Sequence, residues 1–237
     1  MTNKEIDIIF QLNTKCPLCE GTDRIPIKPS YSFKDTHYYH YWLCKCGMIY
    51  IDAYPQDQVT YYSEIGLTTY SARHGTRAHD RANRTAKETI PDSWEINSHL
   101  DVGCGNEILM QLIEEKFNCS VRGEGVEYDT RFMESRKCYT HISEVTKTYD
   151  LVTAIHVLEH DPNPLQFMKH MVSLADKYIV IEVPSMGEAD FKHVSLFNPW
   201  TLGELLKKAG LELFTVVWNH VIFKDYDQAI LVAIGEV

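Results

Sequence analysis

Residues 99–105, His-Leu-Asp-Val-Gly-Cys-Gly, read as a short strand running directly into a Gly-x-Gly turn. Glycine lets a backbone turn tightly and pass close to a bound nucleoside. A second apolar run, Gly125-Val126-Glu127, ends on an acid. That is about where an α/β nucleotide fold places its ribose-binding carboxylate. Together the two features predict a nucleotide-like cofactor site, against the plainer reading of a tight turn and a surface glutamate.

From Ile96 onward, apolar strand runs alternate with segments of helical period, which implies a parallel sheet flanked by helices. The expected strands are residues 99–102, 120–126, 138–142, 151–155, 178–183, 213–218 and 229–234. Ahead of them, residues 14–60 alternate turn signals with aromatic-rich runs such as Tyr38-Tyr39-His40-Tyr41-Trp42 and predict a small β-rich module. The expected organisation is a module over 1–60, a helical linker or lid over 61–95 and an α/β domain over 96–237. A chain of 237 residues can bury that core.

Cys16-Pro-Leu-Cys19 and Cys44-Lys-Cys46-Gly47 supply four of the seven cysteines as two close pairs. Paired thiols at this spacing suit a closed, structural, tetrahedral zinc site in a zinc-ribbon-like module. The second pair is shorter than the usual knuckle, so His40 or His37 is an alternative ligand. Small buried cysteines with no metal are the other reading. Free thiols suit a reducing compartment. The N-terminus carries no basic-then-apolar leader, and no apolar run reaches the length of a membrane span. The chain is therefore expected in the cytoplasm, without a membrane partner. With 33 acidic against 23 basic residues the net charge is −10, which disfavours nucleic acid and favours small-molecule chemistry.

Arg73, Arg77, Arg81 and Arg84 fall within roughly an 80° sector of one helix, and Lys87 extends the stripe. Ala78, Ala82 and Ala86 lie on the other side, small enough for close helix packing. Like charges on one face need a counter-anion. Either the acidic remainder of the chain or a phosphate-bearing substrate, such as a nucleotide-linked sugar, meets that need.

Leu100-Asp-Val-Gly-Cys-Gly105, Gly125-Val-Glu127, the run Tyr149 to Pro162, Ile181-Glu-Val-Pro184 and the run His193 to Leu202 resemble, in order and spacing, the class I S-adenosylmethionine-dependent methyltransferases. The nearest likeness is to the branch with a zinc-binding N-terminus that includes sugar C-methyltransferases. The resemblance implies a doubly wound, Rossmann-like, seven-stranded sheet behind the zinc module. It also implies that Gly103, Cys104 and Gly105 hold the methionine end of S-adenosylmethionine, Asp101 supports the loop and Glu127 takes both ribose hydroxyls. Tyr128 would lie near the adenine, with Ile142 and Ile155 completing the pocket. Two positions depart from the pattern. Glu107 stands where a third glycine is usual, and His141-Ile142-Ser143 stands where an acid usually meets the adenine amine.

Methyl transfer must align an acceptor atom and, for most acceptors, remove a proton, a task suited to histidine. His156 and His160 follow the expected fourth strand and His193 follows the fifth, on the carboxyl ends where such folds bind ligands. His193 is the first choice of base, with His160 and His156 behind it; structurally hydrogen-bonded loop histidines are the alternative. Related enzymes use the segment of Tyr61, Tyr62 and Tyr70 as a lid, which makes Tyr62 a substrate candidate beside its plainer packing role. The leading expectation is O- or C-methylation of a small anionic sugar, glycan precursor or metabolite. A zinc-finger RNA methyltransferase and a non-catalytic cofactor-binding protein are the other readings.

Overall fold

A computed structural model describes residues 10–33, 37–55, 78–118, 123–128, 137–186, 193–223 and 226–237. The expected Tyr62, Arg73 and Arg77 lie outside the described residues.

The α/β body carries a seven-stranded sheet. Its strands are β6 (His99–Val102), β7 (Glu124–Val126), β8 (Cys138–Tyr139), β9 (Tyr149–Ile155), β10 (Ala175–Pro184), β12 (Leu213–Phe223) and β13 (Tyr226–Glu236). The order is β12-β13-β10-β9-β6-β7-β8. Neighbours from β10 to β8 pair in parallel, while β13 runs antiparallel to both β10 and β12. The parallel sheet expected from the sequence is therefore a mixed, seven-stranded one. Only two residues separate Phe223 from Tyr226, far fewer than the dozen or so that a parallel crossover requires, so the last two strands form a hairpin.

The expected strand positions hold in type and shift in extent. β9, β10, β12 and β13 are longer than their apolar runs, because ladder hydrogen bonds extend beyond the buried residues. The expected strand over 138–142 stops at Tyr139, and Ile142–Glu144 is a 3-10 turn capped by the His141 side chain, which accepts from Ser143 N. Of the expected strand over 120–126, residues Glu124–Val126 are a described strand.

Among the described residues, four helices pack on this sheet. The first, α1, is described from residue 78 to 84 and continues into a π-helical turn, Thr85–Thr89. The alanine face expected from the sequence is the packed one, with Ala82 and Ala86 buried against Ile113, Leu151 and Val180. α2 (Ile108–Phe117) buries Leu109, Met110 and Ile113. α3 (Pro164–Leu174) starts on Asn163, which accepts from Gln166 N, and buries Phe167, Met168, Met171 and Leu174 at helical spacing. α4 (Pro199–Ala209) opens with a reciprocal Asn198/Thr201 capping box and ends at Gly210, whose φ of 102° places it in the left-handed region. No helix among the described residues is long and apolar enough to cross a membrane.

In the N-terminal region β1 (Phe10–Leu12) pairs with β5 (Ala53–Pro55). The hairpin β2 (Arg24–Phe33) and β3 (His37–Cys44) continues to β4 (Ile49–Ile51). A fourth strand, β11 (Ser195–Leu196), comes from the α/β body and pairs with β4, Ser195 opposite Tyr50. Sheet hydrogen bonds therefore cross the boundary expected at residue 60. Cys16, Leu18, Met48 and Tyr50 share one buried cluster with Phe197 and Leu202.

Inside the sheet, Thr153 donates through Oγ1 to Asp101 Oδ1 at 2.6 Å, and His99 Nε2 lies 2.9 Å from the same hydroxyl. Burial pushes Asp101 up to about 7, against the opposing bond from Thr153. A folded value above that of the unfolded chain means the fold holds an extra proton between about pH 4 and pH 7, so stability falls as pH rises through that window. Asp101→Asn keeps the acceptor for Thr153 and removes the titration. Urea unfolding across pH should show a flatter profile for Asp101→Asn over that range; parallel profiles would show that Asp101 titrates normally.

Candidate active site

The turn after β6 is held by the neighbouring strand. Gly103 N and Cys104 N both donate to Val126 O, at 2.7 and 3.2 Å, and Gly105 N donates to Glu127 Oε2 at 3.0 Å. Gly103 has φ +77°, and a Cβ built there falls 2.3 Å from Val157 Cγ2, so glycine is required both by conformation and by space. Gly105 has φ +49° and nothing within 4 Å of a built Cβ. Open space thus lies beside the Gly105 Cα, and the Glu127 carboxylate is bonded to the same residue's amide.

Glu107, in the place of the usual third glycine, adopts the left-handed conformation itself, φ 64°, and is 1 % exposed. Cys104 is buried with its Sγ 3.6 Å from that of Cys138. Asp101, expected to support the loop, accepts from Thr153 on the adjacent strand. Tyr128 is exposed, with its ring centroid 5.8 Å from that of His141. Ile142 is buried in the core, and Ile155 lies half-buried at the end of β9.

Beyond β9 the chain passes through His156, a non-glycine residue with φ +57°. Strain of this kind persists where surrounding contacts over-determine it. His156 N donates to Glu182 O at 2.8 Å. Its Nε2 lies 3.2 Å from Glu182 Oε1, and its Nδ1 lies 3.4 Å from Glu159 Oε1. Burial and the Arg81 charge push the imidazole down, but the two carboxylates outweigh them and hold it above the ordinary histidine range. Glu182, fully buried in β10, also receives the Arg84 guanidinium. Burial opposes its ionisation, and His156 and Arg84 together bring it below the usual carboxylate range.

Glu159 is 1 % exposed. Burial works against its charge too, and the imidazoles of His160, His156 and His193 overcome that and hold it at about 2. His160 Nε2 stands 3.6 Å from Glu159 Oε1, and the His160 and His193 rings are 5.1 Å apart. The structure therefore brings the three expected histidines together around two acids that sequence reasoning passed over. Glu159 sits three residues after His156, within one 3-10 turn, and Glu182 interrupts an apolar strand. An acid embedded between apolar strand residues is the signal that pointed to a buried charge.

The arginine stripe divides. Arg84 is 8 % exposed and turns inward to Glu182, whereas Arg81 is half-buried near His156. Replacing Arg84 by Met leaves Glu182 with His156 alone. Breaking a buried pair on one side costs about 3–5 kcal/mol, and because His156 remains, Arg84→Met is expected at the low end, about 3 kcal/mol by urea denaturation. A loss under about 1 kcal/mol would show that His156 suffices as counter-ion.

His193 is fixed from the N-terminal side. Tyr41 OH donates to His193 O at 2.9 Å, and Ile51 N donates to Val194 O at 3.0 Å. The four expected thiols also converge: Cys16 Sγ lies 3.6 Å from Cys46 Sγ, Cys19 Sγ lies 3.5 Å from Cys44 Sγ, and all four sulfurs are within 4.8 Å of one another. Zinc–sulfur bonds of ~2.3 Å place tetrahedral sulfurs about 3.8 Å apart, so the cluster fits zinc without a histidine; His40 is exposed and outside it.

A seven-stranded sheet with one antiparallel strand beside its edge, and a glycine turn facing an acid on the next strand, define the methyltransferase class of α/β fold. The Methyltransferase domain family matches residues 71–216. The chain belongs to that family, and it is an S-adenosylmethionine-dependent methyltransferase. No curated protein matches it. Among solved structures it is similar to the 1,6-didemethyltoxoflavin-N1-methyltransferase of Burkholderia thailandensis, with bound 1,6-didemethyltoxoflavin and S-adenosylhomocysteine, at 16% identity over 88% of this chain and 99% of that one, TM-score 0.58. It is similar to the S-adenosylmethionine-bound magnesium protoporphyrin IX methyltransferase of Synechocystis PCC 6803 at 15% identity over 75% of this chain and 94% of that one, TM-score 0.55. The mitomycin 7-O-methyltransferase is similar at 15% identity over 76% of this chain and 60% of that one, TM-score 0.55.

Proposed function

We propose that the chain methylates a small anionic acceptor, such as a sugar, glycan precursor or related metabolite, held beside His160 and His193. The observation that carries this reading is the convergence of that histidine pair on the strand ends that also bear the glycine turn, with Val157 packed against Gly103. On this reading Gly103, Cys104, Gly105 and Glu127 hold the cofactor, with Tyr128, Ile142 and Ile155 toward its base and Asp101 behind the turn. Glu127 is suited to the ribose, because one carboxylate can accept from two hydroxyls. The cofactor, when bound, supplies an electrophilic methyl group.

The chain's own work is to align the acceptor and deal with its proton. His193, with His160 beside it, is the proposed centre of that proton removal. His156, clamped between two buried acids, is a positioning residue for Glu159 and its neighbours. Arg73, Arg77 and Arg81 are the proposed contacts for a phosphate or carboxylate on the acceptor, and Tyr62 is proposed to line it. Arg84 serves Glu182. A nucleotide-linked sugar satisfies this charge pattern, and a net charge of −10 disfavours RNA. The reading places the enzyme in the cytoplasm.

Titration calorimetry with S-adenosylhomocysteine tests the cofactor side. Glu127→Ala is expected to weaken binding about tenfold or more, the loss of charge-assisted bonds worth about 1.5–3 kcal/mol. Unchanged affinity would remove Glu127 from the ribose. A mass-spectrometric screen of acceptors with the purified enzyme then identifies the substrate by the gain of one methyl group.

Cys16, Cys19, Cys44 and Cys46 are proposed to hold a structural zinc. Elemental analysis should find about one zinc per chain. Because β4 carries β11 and Tyr41 holds the His193 carbonyl, stripping the zinc should lower both the melting temperature and turnover. Metal-free protein that melts like the parent would exclude the structural role.

A further inference from the structure

Glu159 is a buried carboxylate, 1 % exposed, with neither oxygen receiving a hydrogen bond among the described residues. Unpaired burial of an ionised acid is costly. The surrounding imidazoles offset that cost through space and without a direct hydrogen bond: His156 Nδ1 stands 3.4 Å from Oε1 and is shared with Glu182, and His160 Nε2 stands 3.6 Å away. One ligand atom from each of Glu159, His160 and His193 lies within 4.8 Å of the other two. Modest side-chain rotation closes that spread onto one cation with bonds of ~2.1 Å.

Two imidazoles and one carboxylate on one face form a donor set that grips a divalent transition metal and leaves its remaining positions open. Each ligand is held by something else in the fold. Glu159 and His160 ride on the turn after β9, whose Val157 abuts Gly103. His193 is fixed through its carbonyl by Tyr41. Behind Glu159, the chain His156, Glu182, Arg84 supplies the supporting layer that orients first ligands in metal sites.

We infer that Glu159, His160 and His193 form a second metal site, for a divalent cation such as manganese, on the acceptor side of the cofactor turn. The open coordination positions take an acceptor that presents a hydroxyl next to a second oxygen, as in a vicinal diol or a hydroxy acid. A hydroxyl bound to the cation is more acidic and gives its proton to water, leaving an alkoxide aligned for transfer. This inference rests on the acceptor-side reading above; with the cation bound, the histidine pair acts on the acceptor's proton only through the metal it ligates, and water takes the proton. It also distinguishes the two metal positions by chemistry: the Cys16/Cys19/Cys44/Cys46 thiolates favour zinc, whereas a mixed imidazole and carboxylate set accepts the harder manganese ion.

The test uses the full-length, zinc-loaded enzyme with manganese(II) as the probe, free ion being counted by electron paramagnetic resonance. About one manganese per chain should bind with zinc content unchanged. Glu159→Gln and, separately, the half-buried His193→Gln should each weaken it by about 100-fold or more, exceeding the 10–100-fold typical of outer partners. Should Glu159→Gln fail to fold, His193→Gln carries the test. Absence of stoichiometric binding, or binding that survives both changes, overturns the inference. Calorimetry with S-adenosylhomocysteine on the same samples separates the failures. Cofactor binding without manganese removes the cation and leaves the methyltransferase reading intact, whereas loss of cofactor binding in the parent enzyme undermines that reading itself.

Discussion

Glu182 is a carboxylate in the middle of an otherwise apolar strand, fully buried and flanked by Ile181 and Val183. A charge in that position has to be met from both sides. Arg84 reaches it from the helix that precedes the sheet, and His156 reaches it from the end of β9. Three separate parts of the chain are thereby tied at one point: residues 78–89, β10 and the loop that follows β9. The left-handed backbone of His156 follows from the same constraint, because the residue meets Glu182 with both its amide and its ring. Once His156 is fixed, the 3-10 turn bearing Glu159 and His160 has little freedom, and the histidine pair is set at the carboxyl edge of the sheet.

The other half of the site comes from the opposite direction. His193 precedes β11, a two-residue strand whose hydrogen bonds run to β4 of the N-terminal sheet. The Cys44 to Cys46 turn packs nearby, Gly47 lying against the Thr201 methyl at the start of α4. The N-terminal cysteine cluster and the segment bearing His193 are therefore joined by sheet pairing and a shared core. The proposed zinc would reach the His193 segment only through the β4 and β11 pairing.

Much of this was legible in the sequence, and the exceptions have physical causes. β6, β9 and β10 were visible because parallel strands buried on both faces are runs of apolar residues. The antiparallel direction of β13 was not, since an apolar run carries no sign of direction; only the two-residue gap before Tyr226 encoded the hairpin. β11 was invisible because two residues have no period. The cysteine cluster was legible from spacing alone, and the structure closes it without His40. The glycine turn and Glu127 were readable, while Asp101 turned to Thr153, a partner on another strand that local sequence does not identify. Helical geometry put Arg84 on the face of Arg81, correctly as an angle, but an angle does not reveal that one neighbour is a buried glutamate.

That division of the arginines changes the electrostatics of the acceptor side. A chain of net charge −10 repels anions at long range unless positive charge is concentrated where they bind. Arg84 spends its charge on Glu182, and His156 is shared between Glu182 and Glu159. Among the described residues of the stripe, Arg81 is half-buried near His156, which Glu159, itself negative, also meets. A phosphate approaching His160 and His193 would meet that carboxylate directly. A divalent cation on Glu159, as proposed above, would reverse the local sign and turn a repulsive patch into one that attracts oxygen anions, so the proposed anionic acceptor and the proposed metal support one another.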